Sequence, residues 1–350
     1  MEMSFRWYGN DDPVRLEHVR QIPGMKGIVS AIYDIPAGEV WPKEKIIALK
    51  DSIEKAGLKL SVIESVPVHE DIKLGLPSRD TYIENYIETL RNLSSAGVKT
   101  VCYNFMPVFD WTRTSLDTPL PDGSHSLSYD EATLEKLDPI SGELTLPGWD
   151  LSYQTEQLKG ILETYKGVSE ENLLDNLIYF LEKIIPVAEE ESVLMAIHPD
   201  DPPWSVFGLP RVVTNKYNVE KMLRAVDSTS NGITFCTGSF GALHENDLLQ
   251  IIDVAKDRIH FVHARNVKWT GTKSFQETSH SIHDGSLPMV EVIKKLIEIG
   301  YNGPIRPDHG RMIWGEEGRP GYGLYDRALG ATYLNGIIDT YRTARKGEFI

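Results

Sequence analysis

Short apolar runs recur along the chain, spaced widely enough for a helix to fit between each pair. They lie at residues 3–8, 27–33, 59–65, 100–105, 192–199, 232–238, 259–266 and 303–309. Between them the apolar positions switch to a helical period, at 13–22, 43–56, 79–96, 170–190, 218–228, 244–257, 287–299 and 325–345. Pro42 stands at a helix start. Gly57, Gly97 and Gly300 each fall between a helix and the next strand, where a left-handed C-terminal cap belongs. Eight strands alternating with helices imply right-handed βαβ units and a parallel sheet. Eight such units predict a (β/α)8 barrel of the TIM type. An open doubly wound sheet is the competitor, but it usually has fewer strands, and the chain has neither of the common glycine-rich phosphate loops.

One stretch breaks the rhythm. Residues 107–169, rich in Pro, Asp, Ser and Thr, separate the fourth strand from the next long helix. A loop of that length is usually functional or disordered. In a barrel it leaves the face that carries active sites. It is read as a lid or small subdomain inserted into a single barrel domain spanning 1–350, with a surface excursion or dimerisation arm as the alternative.

Composition narrows the function. A formal net charge of −15 over 350 residues disfavours nucleic acid and anionic membranes as partners. It leaves room for a small anionic substrate near a cation. No run of about 18 apolar residues is present. The first residues lack a basic segment followed by an apolar one, so no signal peptide is expected. The two cysteines, Cys102 and Cys236, both sit in apolar runs, which fits a reducing, cytoplasmic setting.

The ends of the last four strands carry the candidate chemistry. They bear His198, Cys236, His263 and Asp308. Neighbouring strands lie about 4.8 Å apart, so these ends form a compact arc. Two imidazoles, a thiolate and a carboxylate make a four-ligand set for a divalent transition metal. A lone histidine or cysteine on a strand is more often a packing residue, and His18, His244, His260 and Cys102 are read that way.

The motifs HPDDPPW (198–204), FCTGS (235–239), HARN (263–266) and RPDHG (306–310) resemble those of the mannonate dehydratase family. So do FRWYGNDDPV (5–14) and CYNFMPVFDWTRT (102–114), and the similarity spans essentially the whole chain. The resemblance implies a TIM barrel related in architecture to sugar isomerases. It implies loss of water from D-mannonate to give 2-dehydro-3-deoxy-D-gluconate in hexuronate (glucuronate) breakdown. A divalent cation is implied, most often Mn2+, with Fe2+ or Co2+ as alternatives, held by His198, Cys236, His263 and Asp308. A homodimer is also implied.

The reaction removes the C2 proton and expels the C3 hydroxyl, so it needs a base, an acid and a cation near the carboxylate. His309, supported by the resemblance, is the proton-transfer candidate, with orienting Asp308 as its alternative role. Tyr325 at the start of the last helix is the second candidate, with packing as its alternative. Arg306, Arg265 and Asn266 near the barrel mouth are candidate substrate contacts, as are Trp111, Arg113 and His125 from the insertion. Lys268, His280 and His283 lie close by in sequence. Asp200 and Asp201 are candidates to orient His198. A metal-dependent isomerase or epimerase on the same barrel is the second reading, although such enzymes favour carboxylate ligands over a thiolate. A non-catalytic metal-stabilised binding protein and a DNA phosphodiesterase-like barrel complete the alternatives.

Overall fold

All eight apolar runs form strands. In the computed structural model, which describes residues 1–140 and 155–346, the strands in chain order are β1 (Glu2–Arg6), β2 (Gly27–Ser30), β3 (Lys59–Glu64), β4 (Thr100–Tyr103), β5 (Ser115–Pro119), β6 (His125–Asp130), β7 (Leu194–Ile197), β8 (Asn231–Cys236), β9 (Ile259–His263), β10 (Val267–Gly271), β11 (Ser274–Glu277) and β12 (Pro304–Arg306). Strands β1, β2, β3, β4, β7, β8, β9 and β12 close into a parallel barrel, with β12 returning to pair with β1. The sequence expectation of a (β/α)8 barrel holds.

Side-chain alternation sorts the barrel into layers. Val29, Val62, Cys102, Ala196 and Phe261 come from five different strands yet pack against one another, so they point inward. Their neighbours Ile28, Ile63, Val101, Ile197 and Val262 belong to the larger cluster facing the helices. Strand side chains repeat every second residue. The inward layer one step further along therefore consists of Ala31, Glu64, Asn104, His198 and His263. Thr234 reaches Cys102 and the carbonyl of Ala196 inside the barrel, which puts Cys236 in the same upper layer. Register confirms the level, since Cys236 pairs with His263 and His263 with Arg306.

The helices follow the predicted ranges closely, including Lys43–Lys55, Arg79–Ser95, Glu170–Glu190 and Tyr325–Lys346. Gly57, Gly97 and Gly300 adopt φ of +76°, +83° and +80°, as expected of left-handed caps. The first predicted helix shrinks to Leu16–Val19. The Asp12 carboxylate accepts the backbone N–H groups of Tyr8 and Val14 and holds the preceding residues in a turn. No described helix is long and apolar enough to cross a membrane.

The described part of 107–169 does not stand apart from the barrel loops. Its hairpin β5–β6 shares a four-stranded antiparallel sheet with hairpin β10–β11, which follows barrel strand β9. Phe275 pairs with Tyr129 in that register, and their rings stack with centroids 5.7 Å apart. The sheet is therefore built from two loops on the C-terminal side of the barrel. The helix Thr155–Tyr165 supplies Tyr165 to a small cluster with Val108, Phe109 and Leu209. Trp149, an aromatic residue of the same insertion, lies outside the described residues.

Candidate metal centre and active site

The four proposed ligands meet at the top of the barrel. His198 Nε2 lies 3.1 Å from His263 Nδ1. Asp308 Oδ1 is 3.6 Å from the same nitrogen, and Asp308 Oδ2 is 3.8 Å from Cys236 Sγ. Donor atoms of His198, Cys236 and His263 all lie within 4.8 Å of one another. Ligands bonded at about 2.0–2.3 Å around a tetrahedral cation stand roughly 3.3–3.8 Å apart, so these spacings suit one ion. Cys236 Sγ accepts from the Ser239 N–H and hydroxyl at 3.4 and 3.1 Å, which fixes the side chain at the end of β8. Among the described residues buried Asp308 Oδ1 accepts no hydrogen bond of good geometry, although the Arg306 guanidinium pairs with it by charge. Asp308 stands at φ +54°, a left-handed conformation that turns its carboxylate toward the cluster just as β12 ends. The donor set and its spacing fit a divalent transition metal.

Positive groups hold these carboxylates ionised. Burial pushes the Asp308 carboxyl up, but His309, Arg306, His263 and Arg265 outweigh it and keep it well below the usual range. Arg306 lies 2.7 Å from Asp308 Oδ1 and donates to Glu64 at 3.0 Å. Glu64 approaches His263 Nε2 at 3.4 Å, and Arg6 contacts both its backbone oxygen and its carboxylate.

Beside the ligands lies the proton-transfer candidate. His309 Nε2 is 2.8 Å from the Tyr322 hydroxyl, and Nδ1 is 2.9 Å from both oxygens of Glu277. The Trp111 ring packs against the imidazole at 4.9 Å. Burial, with Tyr8 adding to it, pushes the Tyr322 phenol well above its ordinary value, so the hydroxyl keeps its proton. These groups face a cavity of about 820 Å³ whose lining includes Arg6, Glu64, Trp111, His198, Arg306, Asp308, His309 and Tyr322. That volume accommodates a six-carbon sugar acid. Tyr8, Tyr33 and Arg319 form part of its outer wall.

Several expected contacts do other work. Tyr325 is 42% exposed, packs on Trp314 and does not line the cavity, whereas Tyr322, three residues earlier, lines it and meets His309. Both tyrosines sit in the same short segment, where no periodicity separates the inner one from the outer. Arg113 and Arg265 are fully buried and committed to carboxylates rather than open to a ligand. Arg113 forms a two-pronged pair with Asp201 at 2.9 and 3.0 Å and reaches Glu277 at 2.6 Å. Arg265 contacts Asp201, Glu277 and Asp308 at 2.6, 3.1 and 2.8 Å. Asn266 is buried and bonds the carbonyl of Ser281 and the N–H of Leu287, which fixes the following loop.

His125 sits half-exposed on the small sheet, paired with Asp117 at 2.7 Å, away from the cavity lining. Asp201 serves the arginines, and Asp200 accepts the N–H groups of Val212 and Val213. The carboxylates hydrogen-bond elsewhere, and His198 Nδ1 contacts the Pro199 carbonyl at 2.7 Å. His280 is buried against the Pro307 carbonyl, while His283 and Lys268 face outward. Arg306 and Trp111 do line the cavity.

Glu64, Glu277 and Tyr322 are the residues that sequence reading missed. Glu64 was within reach of the alternation rule, being two residues past inward-facing Val62. Glu277 lies in a segment that reads as loop until its pairing with β6 is seen.

Comparisons with known proteins agree with this geometry. The family model described as D-mannonate dehydratase (UxuA) matches residues 1–348. Mannonate dehydratase 2 of Halalkalibacterium halodurans is 63% identical over 339 residues, covering 96% of this chain and 98% of that protein. The mannonate dehydratase of Streptococcus uberis is 60% identical and covers 99% of this chain and all of its own length. The crystal structure of mannonate dehydratase from Streptococcus suis serotype 2 superposes with a TM-score of 0.92 at 51% identity, over 99% of this chain and 96% of that one. A D-psicose 3-epimerase shares the fold at a TM-score of 0.56 with 11% identity, over 97% of this chain and 99% of that one. From the shared barrel to the full-length match, the chain belongs to the D-mannonate dehydratase family.

Proposed function

We propose that the family reaction, loss of water from D-mannonate to give 2-dehydro-3-deoxy-D-gluconate, is carried out here by His309 and Tyr322 beside a divalent cation. His198, Cys236, His263 and Asp308 would hold the ion, with Mn2+ the first choice and Fe2+ or Co2+ the alternatives. When bound, the cation supplies positive charge that lowers the energy of the enediolate formed as the C2 proton leaves.

The chain's own residues account for the proton bookkeeping. His309 Nε2 takes the C2 proton. Tyr322 donates its phenolic proton to the departing C3 hydroxyl, which leaves as water. The proton on His309 then returns to the Tyr322 oxygen along the 2.8 Å contact between them, and the pair is reset. The product is released as an enol that converts to the 2-keto acid. Trp111 and Tyr322 line the wall beside His309 and limit water at the reacting carbons. Arg306 holds its charge next to Glu64 and Asp308 and offsets negative charge developing on the substrate.

The observation that carries this reading is the His309–Tyr322 contact at the wall of the cavity that His198 and Asp308 also line. The test is conversion of D-mannonate by His309→Asn and Tyr322→Phe proteins of unchanged metal content; loss of turnover in both is expected. An isomerase or epimerase reading rests on the barrel alone, and the thiolate of Cys236 argues against it.

A homodimer in the cytoplasm is part of the same proposal. The exposed Trp314, Tyr325 and Leu329 give the last helix and its approach an apolar outer face, and two free buried cysteines suit a reducing compartment. Sedimentation or light scattering at micromolar concentration checks the mass. A place in glucuronate breakdown follows if D-mannonate is the substrate.

A further inference from the structure

We propose that Glu277 is the positioning residue of His309: it holds the ring proton on Nδ1, so that Nε2 is the bare nitrogen facing Tyr322 and the substrate. This deepens the proton-transfer reading above and rests on it. Glu277 ends β11, and its two oxygens both stand 2.9 Å from His309 Nδ1. A carboxylate only accepts, so the nitrogen it faces carries the hydrogen.

The carboxylate is itself fixed. Arg113 donates to Glu277 Oε1 from Nε at 3.0 Å and from Nη2 at 2.6 Å, and Arg265 Nη1 donates to the same oxygen at 3.1 Å. Three donations from two guanidinium groups leave the Glu277 side chain no freedom to swing away. On the other side the imidazole meets Tyr322 at 2.8 Å and the face of Trp111 at 4.9 Å. The ring is thus oriented by contacts on both nitrogens.

The supports of this orientation come from the two loops that build the small sheet. Arg113 precedes β5 in the long segment after β4, and Glu277 belongs to the hairpin after β9. Pairing of β6 with β11 brings the two segments together. The sheet therefore does more than cover the barrel mouth, because it delivers the anion that sets the tautomer of the base.

The test combines kinetics with the tautomer of His309. Protein labelled with 15N-histidine and loaded with diamagnetic Zn2+ is examined by NMR, with His309→Asn supplying the assignment. The wild-type ring is expected to carry its hydrogen on Nδ1. Glu277→Gln, whose amide both donates and accepts, is expected to mix or reverse the tautomer. Its kcat for D-mannonate should fall about 10²-fold or more, with unchanged metal stoichiometry and KM within about twofold.

Because glutamine removes a buried charge and can weaken folding, Glu277→Asp is measured alongside. It keeps the charge but shortens the reach, and a kcat loss of roughly 10-fold or more is expected from the misplaced ring. A wild-type ring with its hydrogen on Nε2 would overturn the proposal, as would an Asp variant with undiminished kcat. If His309→Asn turns over normally, the proton-transfer reading itself fails, a result separable from the tautomer measurement.

Discussion

The hydroxyl of Tyr322 stands 2.8 Å from Nε2 of His309, and the two rings meet edge to face with centroids 4.8 Å apart. Only three residues further along, Tyr325 is turned outward onto Trp314. The contrast gives a sharp kinetic expectation. Tyr322→Phe should lower kcat about 10²-fold or more by removing the proton donor. Tyr325→Phe should leave kcat and KM within about twofold. Steady-state kinetics on the two variants decides between them, and a large loss in Tyr325→Phe with none in Tyr322→Phe would reverse the assignment.

Cys236→Ser should keep the fold and lose metal. The serine oxygen is a poorer ligand for a transition metal than a thiolate. Metal content after dialysis, read by elemental analysis, is expected to fall well below that of the wild type. Circular dichroism should be unchanged. Full stoichiometry in the variant would remove Cys236 from the ligand set.

Arg113 neutralises Asp201 and Glu277 in the interior, so Arg113→Met should be strongly destabilising. Removing one partner of a buried ionic cluster leaves uncompensated charge and typically costs about 3–5 kcal/mol. Denaturant unfolding followed by fluorescence measures the loss. A change under about 1 kcal/mol would mean that the cluster is not paired as described.

Acid should weaken the same cluster. Burial raises the Glu277 carboxyl, but His309, Arg265 and Arg113 bring it down to about 2, against an ordinary value of 4.5. The folded chain therefore binds this proton less readily than the unfolded chain. The resulting stability is fully present above about pH 4.5 and is lost as the pH falls through about 2. Burial raises the Asp201 carboxyl, but Arg113 and Arg265 outweigh it and hold it below its ordinary value, so it contributes with the same sign. Denaturant midpoints measured down the acid range should fall less steeply for Glu277→Gln than for wild type. Parallel curves would contradict the assignment.

What could be read from the sequence follows from range. The barrel strands were visible because short β-rich runs alternate with helical patterns along the chain, and Gly57, Gly97 and Gly300 marked the approach to three of them. The ligand quartet was visible because each member ends such a run. Glu277 and Arg113 were not, since they are 164 residues apart in sequence and their pairing depends on the junction of β6 with β11. Charge alone made Arg113 and Arg265 look like substrate clamps. Only the positions of Asp201 and Glu277 reveal that both guanidinium groups are already satisfied. The choice between Tyr322 and Tyr325 turned on which side of the chain each faces at the start of the last helix, and no periodicity operates in that turn.

The most direct test of the central claim is turnover of D-mannonate by purified, chelator-stripped protein, with and without added Mn2+, followed by formation of the 2-keto-3-deoxy acid. The account predicts no product without a divalent ion and restored product on adding Mn2+, with His309→Asn inactive under both conditions. Product formed at full rate by the stripped protein, or none under any divalent metal, would contradict it.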